Sequence, residues 1–418
     1  MRSRVTLSKS GANGRGLTGL PAVLLVAATA AVGQAFGRFT IGVLLPAIRD
    51  DLNLSNTAAG TLATANVAAY LLGTLIVASA SGRFRLLVVM RAGMVLAVLG
   101  LALAAFSPGP ITLAVALFVA GLGGALTWIP APVVAAAALA PERRAFAIGI
   151  LASGMGVGVV FTGQLAGFVR STMGDASWRT VYLVQFIVGV VVVGAAWLLL
   201  SHRQDRPSTK GGLGGFSVLR RMPGWVPYTC AFTAFGLMYL LVVAFLTTKL
   251  EDDNGWTSSR ASLAFTLLGV AMIFGGPLFI AVAQRVGPRR ALTIAFSIWI
   301  VTTTILLPGW SIPTLGAAVV SGLLFSAMPT LFTLYVVTNT TAEDYGPSFA
   351  AATFSFGVAQ MVSPQLGGYL ADLTGSFTLV FALSAGLAAV GLVAVLRLPR
   401  QAPSVPARLE SETVDPVD

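Results

Sequence analysis

Long apolar segments recur along the whole chain, and they constrain its fold more than any other feature. Only 10% of the residues are charged, whereas a typical soluble domain carries about 25%. A bilayer core about 30 Å thick requires about 20 consecutive apolar residues in one helix. Apolar segments of this length repeat about twelve times with short polar connections between them. The chain is therefore predicted to be an all-α membrane protein with twelve transmembrane helices.

The predicted spans form two groups of six, separated by a polar linker. The first group lies at residues 19–48, 58–80, 86–106, 111–139, 146–169 and 181–200, and the second at 226–250, 261–283, 291–307, 314–339, 348–370 and 378–396. The predicted domains are an N-terminal tail (1–18), an N-terminal six-helix bundle (19–200), a linker (201–225), a C-terminal six-helix bundle (226–397) and a C-terminal tail (398–418).

Positive charges are distributed unevenly between the two sides of the predicted bundle. With the N-terminus placed in the cytoplasm, 20 of the 26 Lys and Arg residues fall on the cytoplasmic side and five on the outside. Because cytoplasmic loops of membrane proteins are enriched in Lys and Arg, both tails and the linker are predicted to be cytoplasmic. The N-terminus also resembles a cleaved signal peptide, but its apolar segment continues without a break to Pro46.

The two groups of spans are related by an internal repeat at an offset of 201 residues. Gly156-Val157 of the fifth span aligns with Gly357-Val358 of the eleventh, and the segment 164–168 aligns with 365–369. Since six is an even number, both copies have the same orientation in the membrane. Parallel six-span repeats are typical of one class of transporter, in which the substrate site lies between the two halves.

Several motifs resemble those of the major facilitator superfamily. The segment 283–290 reads Ala-Gln-Arg-Val-Gly-Pro-Arg-Arg and resembles the cytoplasmic loop signature Asp-Arg-x-Gly-Arg-Arg of that family. Gly37-Arg38-Phe39, Leu44-Leu45-Pro46, Asn66 and the segment 70–73 resemble its bacterial YbfB/YjiJ-type branch. The resemblance implies the major facilitator fold, with transport by alternating access and no enzymatic activity. It also implies a multi-pass protein of the bacterial cytoplasmic membrane, acting as a monomer.

The family signature also contains residues that govern the change between facing states. Its acidic residue, which favours one facing state in the family, is replaced here by Gln284, and the first-half copy at residues 81–85 lacks it as well. The residues expected to form these conformational-switch loops are Arg83, Arg85, Gln284, Arg285, Gly287, Arg289 and Arg290.

Two departures from the antiporter motifs of the family bear on the direction of transport. Leu117 occupies the position of an arginine in the fourth span, and Phe168 replaces the proline of the fifth-span signature. Both departures weaken the case for proton-driven drug antiport. The small residues and proline at the related positions are interpreted as sites of close helix packing, namely Gly154, Gly163, Gly167, Pro364, Gly367 and Gly368.

Arg38 is the main candidate for a substrate contact, because it is predicted to be the only charge at hydrocarbon depth. A charged side chain at the membrane centre costs a few kcal/mol even on lenient insertion scales. Arginine offers a planar set of donors suited to carboxylates and phosphates, and it stays charged at any cellular pH. Alternatively, Arg38 bonds to helix carbonyls or extends toward the outer surface, since Pro46 is only about 12 Å further along the helix.

Other polar residues in the spans are weaker candidates for the binding site. Tyr239 occupies the repeat position of Arg38, and Gln34 lies one helical turn before Arg38. Each residue could instead form an ordinary interhelical hydrogen bond. The full set of candidate substrate-binding residues is Arg38, Gln34, Asn66, Tyr70, Trp128, Gln164, Tyr239, Tyr335, Gln360 and Gln365.

The sequence contains few residues that could support other chemistry. The predicted spans carry no Asp or Glu at depth, the single histidine His202 lies in the linker, and no phosphate-binding loop is present. No catalytic residue, metal site or cofactor is therefore predicted, and no nucleic-acid partner, because the basic residues are scattered among short loops. The leading hypothesis is a secondary active or facilitative transporter of a small, carboxylate-bearing solute. A coupling proton or ion, and efflux of apolar or amphipathic compounds such as drugs and toxins, remain alternatives.

Overall fold

The computed structural model describes residues 17–80, 83–140, 143–200 and 215–399. Over these residues the chain folds into long helices joined by short connections. Most of the predicted N-terminal tail, residues 201–214 of the predicted linker with His202, and the predicted C-terminal tail from residue 400 lie outside the described residues.

Twelve long helices, α1 to α12, follow one another along the described chain. They are α1 (Leu20–Asp51), α2 (Asn56–Ala80), α3 (Leu86–Ala105), α4 (Pro110–Ala137), α5 (Arg144–Met173), α6 (Trp178–Leu199), α7 (Trp225–Asp252), α8 (Ser258–Val286), α9 (Pro288–Leu306), α10 (Ser311–Asn339), α11 (Ala342–Thr374) and α12 (Thr378–Leu396). A short helix, Gly215–Leu219, precedes α7 and packs against α11.

The helices confirm the predicted fold class as far as an all-α membrane protein with twelve long helices. Eleven of the described helices are long and apolar enough to cross a membrane. The remaining long helix, α11, has 33 residues and occupies the position of the predicted eleventh span. Most predicted spans extend by two or three residues at one or both ends, whereas α5 and α11 extend further. Helices continue into the polar boundary regions, where hydropathy no longer marks them.

Helix α1 contains a π-helical segment at Val32–Phe39, in its central part. Such segments insert an extra residue into the helical turn and are frequent at functional sites. Glycines in and beside this segment allow neighbouring helices to approach closely. A Cβ at Gly33 would lie 3.2 Å from Thr127, and one at Gly42 would lie 2.8 Å from the Val243 carbonyl oxygen. The segment therefore positions α1 tightly against α4 and α7.

Small residues also join the two six-helix halves. Helix α2 packs on α11, and α5 packs on α8, so the internal repeat produces two related contacts between the halves. A Cβ at Gly368 would overlap the backbone of Asn56, and one at Gly156 would lie 2.9 Å from the Gly269 carbonyl oxygen. Close backbone approach through small residues is a common means of helix association in membranes.

The fold predicts different consequences for two glycine-to-alanine substitutions. In Gly93→Ala, the new Cβ would lie 2.6 Å from the backbone of Leu126 and Thr127 in α4. We expect a loss of about 1–3 kcal/mol in stability, because overpacking forces the helices apart. In Gly386→Ala, the Cβ meets nothing within 4 Å, so the thermal midpoint should stay unchanged or rise slightly. Thermal unfolding of both variants in the same detergent tests the pair. Equal midpoints would contradict the close packing of α3 on α4 at Gly93.

Candidate functional site

Arg38 lies near the middle of α1, between the two halves of the bundle. It precedes the end of α1 at Asp51 by 13 residues, which corresponds to about 20 Å of helix. This corrects the interpretation of Arg38 as a residue close to the outer surface, because α1 continues through Pro46. Tyr239 and Gln360 also lie near the middle of their helices, α7 and α11.

The guanidinium group of Arg38 is held by neutral groups from the opposite half. Its Nη2 donates a hydrogen bond to the Tyr239 hydroxyl at 3.3 Å and another to Gln360 Oε1. The guanidinium carbon lies 4.5 Å from the centre of the Tyr70 ring, a geometry that favours a cation–π interaction. Of these partners, none carries a negative charge.

Polar atoms without partners lie beside this contact. Arg38 Nε and Gln34 Nε2 are buried, and neither has a hydrogen-bond partner among the described residues. Gln34 itself is 3% exposed and lies next to Tyr70. A buried donor without an acceptor costs about 1–3 kcal/mol. The two donors therefore mark a place where an external acceptor would be stabilised.

Asn66 supports the backbone of this site. Its Nδ2 donates to the Gly37 carbonyl at 2.8 Å and to the Leu117 carbonyl at 2.7 Å. The side chain thereby connects α2 with α1 and α4 next to Arg38. Because Asn66 is only 1% exposed, the structure places it behind the site, while its Oδ1 has no partner among the described residues.

The other candidate residues lie away from Arg38. Gln164 is exposed and donates to Thr266 Oγ1 at 3.2 Å, at the contact between α5 and α8. Gln365 is exposed in the last third of α11, and Trp128 lies where the regular part of α4 ends. Tyr335 is buried near the end of α10 and stacks on Tyr228 with ring centres 5.5 Å apart. The structure thus brings together Arg38, Gln34, Tyr70, Tyr239 and Gln360, with Asn66 behind them.

The predicted switch-loop residues occupy one end of the bundle, which we call the Arg289 end. Arg83, Arg85, Gln284, Arg285 and Arg290 are exposed there, and Gly287 has a φ of +85°, which favours glycine. Arg289 instead donates to the carbonyls of Val395 and Leu396 at the end of α12. It therefore stabilises a helix terminus within its own half.

The glycines interpreted as packing residues all lie in close contacts. A Cβ at Gly154 would lie 2.9 Å from the Ala27 carbonyl oxygen, and one at Gly367 would lie 2.5 Å from the Phe245 ring. Gly163 and Gly167 face α8, Gly368 faces α2, and the backbone of Pro364 meets Gly60.

Two features near the site were missed by sequence reasoning. Aromatic rings surround Tyr239, including Phe325 at 5.0 Å, Phe235 at 5.0 Å and Phe356 at 6.0 Å between ring centres. Gln185 joins Thr40 of α1 to Thr162 of α5 through hydrogen bonds of 3.0 Å. The sequence did contain a signal for the aromatic cluster, because aromatic residues recur at helical spacing along α7. Lipid-facing helices show the same pattern, so the signal did not distinguish a cluster near the site from a membrane-facing surface.

The comparisons with known proteins agree with this architecture. Residues 30–396 match the family model described as uncharacterised MFS-type transporter YbfB. The chain belongs to this family of major facilitator transporters. It is a multi-pass membrane transporter of a small solute, not an enzyme.

Individual relatives of this transporter are distant. The hexuronate transporter of Bacillus subtilis (strain 168) is 24% identical over 428 residues, which cover 93% of this chain and 97% of the relative. The solved structure of a bacterial homolog of the human lysosomal transporter Spinster, inward-facing and unoccupied, is 17% identical with a TM-score of 0.68, covering 90% and 93% of the two chains. A point mutant of the nucleoside transporter NupG is 12% identical with a TM-score of 0.73, covering 90% and 98%. Each of these two structures is similar to this chain in fold.

Ion pairs connect the two halves of the transporter at the end opposite to Arg289, which we call the Asp51 end. Both terminal nitrogens of Arg170 donate to the carboxylate of Glu251, at 2.7 and 2.6 Å. Arg49 donates in the same two-pronged way to Asp252. Paired arginine–carboxylate bonds of this kind combine charge with fixed geometry. The Arg170 side chain is 1% exposed, so this pair is largely shielded from water.

A third carboxylate connects the halves through the backbone. Asp372 of α11 accepts hydrogen bonds from the N–H groups of Asn56 and Thr57, at 2.9 and 2.8 Å, and from the Thr57 hydroxyl at 2.6 Å. Free N–H groups at the start of a helix favour a negative charge. Asp372 therefore caps α2 from the opposite half, and the Asp51 end is closed.

We expect removal of the charge at Glu251 to loosen the Asp51 end. Glu251→Gln breaks the charged pair and leaves Arg170 with Asp175, a residue of its own half that Arg170 Nε contacts at 2.7 Å. Thr247 is 0% exposed and bonds to the Gly42 carbonyl across the halves. A cysteine at position 247, in a Cys230→Ser background, should react severalfold faster with a membrane-impermeant maleimide in Glu251→Gln.

The matched control for this experiment is Asp175→Asn. It removes a carboxylate from the same arginine without touching the contact between the halves. Its labelling rate should equal that of the parent. Equal labelling of all three proteins would show that the Arg170–Glu251 pair does not hold the Asp51 end closed.

Proposed function

We propose that this transporter carries small organic anions bearing a carboxylate, by alternating access between its two halves. The observation that carries the proposal is the environment of Arg38, a cation near the middle of the membrane. Among the residues that the structure describes, its partners are a hydroxyl, an amide oxygen and aromatic rings. A charge at this depth is costly, and a bound carboxylate would neutralise it while accepting two hydrogen bonds.

The relationship to a hexuronate transporter supports an anionic solute, because a hexuronate carries one carboxylate. That relative is 24% identical, and its substrate is transferred here only as part of this proposal. The comparisons give no support to export of drugs or toxins.

We infer that the structure corresponds to the inward-facing state. The contacts that close the Asp51 end support this inference. The excess of Lys and Arg on loops at the Arg289 end supports a cytoplasmic location for that end and for both termini. In this state, solute would reach Arg38 from the cytoplasm or leave it in that direction.

The first test of the proposal is removal of the charge at Arg38. Arg38→Gln should abolish binding and transport of glucuronate, used as a representative carboxylate, because loss of one partner of a buried charged pair costs roughly 2–5 kcal/mol. That range corresponds to at least about thirtyfold in affinity. Arg38→Lys should also lose most activity, because lysine lacks the planar pair of donors. Thermal stabilisation by glucuronate and its uptake into proteoliposomes provide the measurements.

The matched control is Arg220→Gln, which removes an exposed arginine outside the bundle interior. It should behave as the parent. Unchanged glucuronate binding and uptake in Arg38→Gln, with correct folding, would exclude Arg38 as the anion contact.

A second test supplies the missing negative charge from within the protein. Gln360→Glu places a carboxylate where Arg38 now meets an amide oxygen, so an internal ion pair should displace the external anion. We expect loss of transport with equal or higher thermal stability. Gln365→Glu adds the same charge at an exposed position of α11 and should retain transport. Normal transport by Gln360→Glu would contradict the requirement for an unneutralised Arg38.

A further inference from the structure

A row of aromatic rings leads from the Arg289 end of the bundle to Arg38. On α11, Tyr345 and Phe349 stack with ring centres 5.8 Å apart, and Phe349 faces Phe232 of α7 at 6.4 Å. Phe232 stacks on Phe356 at 4.5 Å with nearly parallel planes, and Phe356 stacks on Tyr239. We call these five residues the aromatic track. Its last member, Tyr239, accepts the hydrogen bond from Arg38.

The part of the track on α11 faces the interior of the bundle. At 100° per residue, Tyr345, Phe349, Phe356 and Gln360 fall within about 60° of one another on the helix. The opposite side of α11 carries exposed residues, namely Phe354, Val358, Val362, Tyr369 and Leu373, as a lipid-facing surface does. Helix α7 packs on one flank of the track and α2 on the other, through Gly236 and Gly357.

The rings of the track on α11 are not fully buried. Tyr345, Phe349 and Phe356 are half-buried, whereas the α7 members Phe232 and Tyr239 are 3% exposed. Rings that served only as core packing would be covered on both faces. These three residues lie on the side of α11 that faces α7 and α2, so a molecule between the halves would meet the uncovered part of their rings.

Polar and apolar groups are separated along this path. The unpartnered donors, Arg38 Nε and Gln34 Nε2, lie at the Arg38 end, whereas the track beyond Tyr239 consists of the rings of Phe356, Phe232, Phe349 and Tyr345. A hexuronate has a hydroxyl on most of its carbons, and each hydroxyl buried without a partner weakens binding. A planar apolar body would instead stack on the rings of the track.

We infer that the preferred substrates are aromatic carboxylates, with the carboxylate on Arg38 and the ring on the aromatic track. This inference rests on the proposed function and narrows its substrate class. Under this inference the aromatic track determines which acids bind, whereas Arg38 makes a negative charge on the substrate necessary.

The experiment compares acids of equal charge on the purified full-length protein. Affinities of phenylacetate and benzoate, of glucuronate and galacturonate, and of the neutral benzamide are measured by calorimetry and by thermal stabilisation. We expect the aromatic acids to bind about tenfold more tightly than the hexuronates, because two ring contacts are gained. Benzamide should bind weakly, since it lacks the charge.

Variants of the track provide an independent measurement. Phe356→Leu and Phe349→Leu keep apolar bulk, so folding should be retained. Each should weaken the binding of aromatic acids by about fivefold to tenfold and leave hexuronate binding unchanged. Phe354→Leu removes a ring from the opposite, exposed side of α11 and should change neither.

The outcomes separate this inference from the proposed function. Hexuronates that bind as tightly as aromatic acids, or track variants that weaken both classes equally, would overturn the aromatic preference. If the aromatic preference is overturned but Arg38→Gln still loses binding of the acids, the proposed function as an anion carrier is retained. Absence of binding by every acid, or full binding in Arg38→Gln, would overturn the proposed function together with this inference.

Discussion

The positive charge of Arg38 is the constraint on which the central part of this transporter depends. The charge lies in mid-membrane, and the residues around it provide hydrogen bonds without neutralising it. Because its partners Tyr239 and Gln360 belong to the opposite half, this one side chain connects the two halves near the middle of their helices. The glycines and the π-helical segment of α1 bring α4 and α7 close enough to keep Arg38 in place.

The site and the Asp51 end use arginine in opposite ways. Arg49 and Arg170 are each paired with a carboxylate of the other half, so their charges are balanced within the protein. Arg38 has no such partner among the described residues and instead contacts an amide, a hydroxyl and a ring. Balanced pairs suit a contact that holds the halves together, whereas an unbalanced charge suits a contact completed by a solute. The family signature that lacks its acid lies at the other end of the bundle, where the described arginines are mostly exposed.

The fold could be predicted almost completely from the sequence, because a lipid environment allows few alternatives. Apolar length determined the spans, and the repeat determined their arrangement into two halves. The pairing of Arg38 with Tyr239 was also accessible, since the repeat relates their positions. The hydrogen bond from Arg38 to Gln360 could not be predicted, because glutamines occur in several spans. Only the packing of α11 shows which glutamine contacts Arg38. Asn66 shows the same limit, as its spacing predicts a shared face with Tyr70 but not the two backbone carbonyls that it binds.

Boundary residues were the least predictable part of the chain. Glu251 and Asp252 follow an apolar segment, where a solvated loop is the simplest expectation. The structure places them inside the last turn of α7, against arginines of the other half. Hydropathy cannot reveal such ion pairs, because the free energy of burying each charge depends on a partner that is distant in sequence. The same explanation applies to Asp372, whose partners lie more than 300 residues away.

The closed Asp51 end has a consequence for how the transporter responds to its medium. Two of the three carboxylate contacts between the halves at this end involve groups that are partly exposed, with the Arg49 and Asp252 side chains at 15% and 29%. Dissolved ions screen exposed charges over about 8–10 Å at physiological ionic strength and shield buried pairs much less. The Arg49–Asp252 pair thus weakens as salt rises, while the buried Arg170–Glu251 pair keeps its strength. The salt concentration on that side of the membrane thereby becomes one of the variables that set how often this end opens.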